Sequence, residues 1–154
     1  MTNPNGLVLD IFQATDADRY LELNAGGHDR LLEVLESTVS GRADVTARLH
    51  AREHSILRDT VRRFAPVIHA DNHSSHRYTI LDIIASNAIG LLHRISRVIS
   101  RHGCNVDLVL ISTEGAKAID VFHITAGGAK LTADAGAALT GDLQAMLEGQ
   151  NEAD

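Results

Sequence analysis

Lys117-Ala118-Ile119-Asp120-Val121-Phe122-His123 decides the fold, because its pattern also occurs near the start of the chain as Leu7-Val8-Leu9-Asp10-Ile11-Phe12-Gln13. Each copy is a short apolar run with one acid ahead of a β-branched residue and Phe, which reads as a sheet strand with two unlike faces. Asp10 and Asp120 are expected on the polar face of their strands, since Leu9, Ile11, Ile119 and Val121 must point the other way. A repeat also bears on domain organisation. The second copy follows a long strand, a helix and another strand, whereas the first begins almost at Met1. One unit is therefore expected to be near-complete, and the other to lack its first half.

Working outward from the second copy, Tyr78 to Ala85 is a β-rich run and Ser86-Asn87-Ala88-Ile89-Gly90 a loop. A helix is expected from Leu91 to His102, with Leu91, Leu92, Ile95, Val98 and Ile99 on one side and Gly103 as its stop. Val106 to Thr113 and Ala118 to Thr125 form a hairpin across Glu114-Gly115-Ala116-Lys117, and a last helix spans about Asp134 to Leu147. The order β, α, β, β, α lacks only a final strand to complete the α+β, ferredoxin-like βαββαβ sandwich. That closing strand is expected to be absent or very short.

Upstream, Leu31, Leu32, Val34, Leu35 and Val39 recur with helical spacing between Asp29 and Ser40, and a second helix is expected from Asp44 to Phe64. Val67-Ile68 reads as a brief edge strand, and Asp71-Asn72-His73-Ser74-Ser75 as a polar linker. The domain boundary is placed there: a partial first unit with its helices over residues 1–72, and the second unit over residues 73–154.

Composition removes several function classes. Aromatic residues make up 3% of the 154, Trp is absent, and the formal net charge is −6, which argues against both a nucleic-acid surface and an anionic membrane as partner. No stretch approaches the roughly twenty apolar residues of a membrane span, and no basic segment with an apolar run follows Met1, so a cytoplasmic setting is expected. Cys104 is the sole cysteine, which excludes an intrachain disulfide and reads most simply as a small core residue. His69, His73 and His76 are dense enough to suggest a metal, but the turn-forming residues between them argue for an irregular linker, and no metal or cofactor is expected. The arginines 48, 52, 58, 62 and 63 read as a solvated helix face or a docking surface. No nucleophile, base and orienting group occur in recognisable order, so the chain is expected to be regulatory and not an enzyme.

The strand-loop-helix junction from Asn87 to Leu92 is the candidate site. The first N–H groups of a helix and its positive dipole end point into such a loop, where a carboxylate is well placed. Gly90 allows close backbone approach, and the Asn87 amide can meet either an ammonium or a carboxylate. Free amino acids carry both groups. The plainer alternative is that Asn87 caps the helix or forms a turn, and that Asn105 is a turn residue after Gly103.

Tyr78-Thr79-Ile80 leading into Asn87-Ala88-Ile89-Gly90-Leu91-Leu92, followed by Ile111-Ser112-Thr113-Glu114-Gly115 and Asp120-Val121-Phe122, resembles the ACT regulatory domain. The repeat favours a likeness to the tandem C-terminal ACT domains of the uridylyltransferase/uridylyl-removing enzymes that modify the nitrogen-signalling protein PII. The resemblance implies effector binding at Asn87, Ala88, Ile89, Gly90, Leu91, Leu92 and Asn105, with glutamine the favoured amino acid. The family loop usually carries Asp and Pro, both replaced here, while Asn87 and Asn105 match positions used by serine-sensing ACT domains. By the same comparison, Leu7 to Thr15 is the third strand of the first unit, Asp29 to Ser40 its second helix and Val67-Ile68 its closing strand. Half a sandwich exposes an edge and an apolar face, so the chain is expected to be a fragment that acts with the catalytic domains of a parent enzyme, or to form a homodimer. A stand-alone ACT protein sensing another amino acid and a ligand-free dimerisation module remain the alternatives.

Overall fold

The computed structural model describes residues 19–55 and 65–149. Of these, 19–55 belong to one compact unit and 65–149 to another. The repeated strand at Leu7 to Gln13 and the end of the expected long helix, residues 56–64, lie outside the described residues.

The described part of the first unit is helical: α1 (Tyr20–Leu23), α2 (Gly27–Val39) and α3 (Val45–Ser55). Gly26 adopts φ 84° just before α2, a left-handed turn that a residue with a Cβ rarely takes. Asp44 Oδ1 accepts from the Ala47 N–H at 3.0 Å, an N-terminal cap that starts α3.

In the second unit, β1 (Val67–Asp71), β2 (Thr79–Ser86), β3 (Cys104–Glu114) and β4 (Lys117–Ala126) form one antiparallel sheet in the order β1-β2-β4-β3. Helices α4 (Leu91–Arg101) and α5 (Ala133–Glu148) complete the α+β, ferredoxin-like sandwich. Side chains alternate along β2 and β4, so Leu81 pairs with Phe122, Ile83 with Asp120 and Ala85 with Ala118 on the buried face. Ile95 and Ile99 of α4 and Leu139 and Leu143 of α5 close the core above them. His102 Nε2 lies 2.8 Å from Asp142 Oδ2 and links the end of α4 to α5.

Val67-Ile68 was expected to close the first unit. Instead it is part of β1, which pairs antiparallel with β2 in register from Val67↔Ile84 to Asp71↔Ile80. A strand from before β2 thus holds the place beside it that the expected closing strand after α5 would take. Ile68 and Ala70 pack against the core, which gives β1 a reason to stay there.

The polar segment after β1 is likewise no loose joint. Asn72 Nδ2 donates to the Leu131 carbonyl at 2.9 Å, while Thr79 Oγ1 donates to Asn72 Oδ1 at 2.6 Å and accepts from Leu131 N–H at 2.9 Å. Lys130 Nζ adds bonds to the carbonyls of Asn72 and Ser75 at 2.8 and 3.1 Å. The break expected after residue 72 therefore runs through a stitched turn inside the second unit.

Candidate functional site

The end of β2 turns into α4 through a loop whose backbone is anchored before the helix begins. Asn87 N–H donates to the Ala116 carbonyl in the β3-β4 turn at 2.8 Å. Gly90 then takes φ 74° at the N-cap position, and the Leu91 N–H reaches back to the Ala88 carbonyl at 3.1 Å. Arg94 Nη1 donates to the Ile89 carbonyl at 2.9 Å, bracing the loop from the second turn of the helix. Among the described residues no side chain caps α4. Asn87 is therefore not its N-cap, and the contrast within the same unit is plain: α5 is capped by Thr132, whose hydroxyl accepts from Ala135 N–H at 3.2 Å. The start of α4 leaves backbone donors for water or a ligand.

A cavity of about 170 Å³ opens at this junction. The loop and helix contribute Asn87, Ala88, Gly90, Leu91 and Leu92, and the hairpin contributes Ile111, Thr113, Ala118 and Asp120. Sites for drug-sized ligands are about 300–1,000 Å³, so this one is of the size of a small metabolite such as a free amino acid. Ile89 and Asn105 do not line it. Asn105 sits at the start of β3 opposite Thr125, at the far end of the strand from Ile111 and Thr113.

Asp120 is the residue that sequence reasoning misplaced. It was expected on the polar face but is only 2% exposed, on the face that packs against the helices. Ile119 and Val121 do face the other way, as expected, but they share that side with Lys117, His123 and Thr125, while the acid falls in phase with the apolar Ala118, Phe122 and Ile124. That phase was the available signal. Burial pushes the Asp120 carboxyl above its ordinary value, and its Oδ1 is buried with no hydrogen-bond partner among the described residues.

The other singled-out residues take ordinary places. Cys104 is in the core with its thiol pushed up by burial, as its reading as a packing residue implied. His69 lies 3.9 Å from Asp82 across the β1-β2 pair, and His73 N–H caps Asp71 Oδ1 at 2.5 Å. Among the described residues no three His, Cys, Asp or Glu side chains converge as a metal site would require. Arg48 and Arg52 are exposed, while arginines 58, 62 and 63 lie outside the described residues. Among the described residues no helix is long and apolar enough to cross a membrane.

Residues 79–138 match the ACT domain family, and with the sheet and helices described above this part of the chain is an ACT domain. Beyond it, most of the chain is similar to bifunctional uridylyltransferase/uridylyl-removing enzymes. The enzyme of Cupriavidus pinatubonensis is 31% identical over 86% of this chain and 15% of its own length. That of Caulobacter vibrioides is 30% identical over 99% of this chain and 16% of its own length. That of Gluconobacter oxydans is 26% identical over 80% of this chain and 13% of its own length. The chain thus spans a small part, 13–16%, of these relatives. No solved structure gives a significant match.

Proposed function

We propose that this chain is a regulatory module that senses a free amino acid, with glutamine favoured, and controls uridylyl transfer and removal by catalytic domains of a longer enzyme. The observation that carries the reading is the uncapped start of α4 opening on a cavity of amino-acid size. A ligand carboxylate would accept the free N–H groups there and gain from the helix dipole. The exposed Asn87 amide at the rim supplies a donor and an acceptor for the rest of the ligand. The lining offers one hydroxyl, Thr113, and one carboxyl, Asp120, a set that favours binding over chemistry. For such binding to regulate, the ligand must have unequal affinity for two states of the parent.

The residues ahead of β1 belong to the same proposal as a partial first ACT unit, with α2 as its second helix. Homodimerisation is the second reading, and a specific observation favours it. Among the described residues β3 pairs only with β4, and Leu108, Leu110 and Ile111 on it are exposed. An open edge with apolar side chains is a template for another strand. Calorimetric titration of the purified chain with glutamine, serine and other free amino acids tests the sensor. Saturable heat with one of them names the signal, and none with any leaves the interaction module. Light scattering tests the dimer.

A further inference from the structure

We propose that the Asp120 carboxylate is the ammonium-recognising group of the α4 cavity, so that the site selects ligands carrying a free amino group beside a carboxylate. This rests on the reading of the cavity as an effector site.

A carboxyl buried to this degree is costly unless something donates to it, and buried polar groups in folded proteins are nearly always paired. Asp120 departs from that rule. Its cross-strand neighbours are Ile83 and Ile111, its Oδ1 has no partner among the described residues, and it lines the cavity together with Leu91 and Thr113. An acid kept for structure would be bonded, as Asp71 is by two backbone N–H groups. Asp120 instead lines the cavity with unused acceptor capacity.

The two ends of the cavity are electrically opposite. The start of α4 contributes uncapped N–H groups and a positive dipole end, whereas Asp120 contributes negative charge from the sheet below. A simple carboxylic acid satisfies the first and is repelled by the second. A simple amine has the reverse fault. A zwitterionic α-amino acid meets both, and a charge-assisted bond to an unpaired buried carboxylate is among the stronger polar contacts available.

The test compares the 154-residue chain with Asp120→Asn in two measurements. Thermal melting at pH 7 is expected to show the variant at least as stable as the parent, because the substitution removes a desolvated charge and keeps the shape. A clear loss of stability would make Asp120 a structural partner and overturn the inference. Calorimetry then uses the free amino acids, glutamine first, and their N-acetyl derivatives. The expected result is binding to the parent, loss of affinity by about ten- to a hundredfold in the variant, and no binding of the N-acetyl form. Equal affinity in parent and variant, or equally tight binding of the N-acetyl form, overturns the role of Asp120 and leaves the sensor standing. No binding of any amino acid to the parent overturns the sensor reading itself, and this inference with it.

Discussion

In α4, Leu91, Ile95, Val98 and Ile99 are buried against the sheet and α5. In α2, Leu31, Leu32, Leu35 and Val39 repeat a helical spacing and are exposed, Leu32 at 52% and Val39 at 88%. Periodicity identifies which face of a helix is apolar, but burial depends on what the rest of the chain lays against it. The difference matters energetically, since full burial of a Leu or Ile side chain is worth about 1.5–3 kcal/mol. The second unit draws its stability from a sheet that covers its helices, and the described part of the first unit has no such layer.

Ile95→Ala should have the largest effect on that contrast. Ile95 is fully buried, and its truncation should cost about 2–5 kcal/mol, read as a lower midpoint in denaturant with an unchanged slope. A cost below about 1 kcal/mol would mean that α4 is no better packed than α2. Next comes Asn72→Ala, which strips the side-chain bonds to Thr79 and Leu131 and should cost about 1–3 kcal/mol. If it behaves as a neutral linker substitution, the stitched turn does not hold β1 to the sandwich.

A pH profile sharpens the comparison between two acids of the second unit. Bonds from the Ser74 side chain and the His73 backbone lower Asp71 from 3.8 to about 2, so its contribution is present above its ordinary value and lost as pH falls toward 2. Asp120, raised by burial, has the opposite sign: its contribution is present in acid and lost as pH rises through its folded value. Thermal melts of Asp71→Asn should therefore be flatter than the parent between about pH 4 and 2, and those of Asp120→Asn should gain on the parent toward neutrality. Parallel profiles for parent and variants would contradict both assignments. Leu32→Ala should be the smallest change, within about 0.5 kcal/mol, because its side chain already meets solvent. A cost approaching that of Ile95→Ala would show that α2 is covered in solution, and its dependence on protein concentration would show whether a second copy covers it.

The helices and strands of the second unit were largely legible. Leu91–Arg101 ends one residue short of expectation, where Gly103 at φ 67° turns the chain, and the Glu114↔Lys117 pair closes the expected hairpin. Strand β3 starts two residues early because Cys104 and Asn105 already pair with Ala126 and Thr125. The loop from Asn87 to Gly90 was also found from its residue types, since a glycine before an apolar helical stripe marks a helix start. Asp120 was misread because its own polarity was allowed to decide its direction against its phase with Ala118, Phe122 and Ile124.

The chain's residues, taken in order, determined its elements, the α+β order, the apolar face of each helix and the junction where a ligand could sit, because turns, caps and periodicity are written within a few neighbouring positions. The partner of β1, the stitched turn at Asn72 and the burial of Asp120 were decided only by the tertiary structure. Each depends on residues distant in sequence, such as Ile84 across from Val67, Leu131 against Asn72, and α4 over β4, and local chemistry carries no record of which distant surface will arrive.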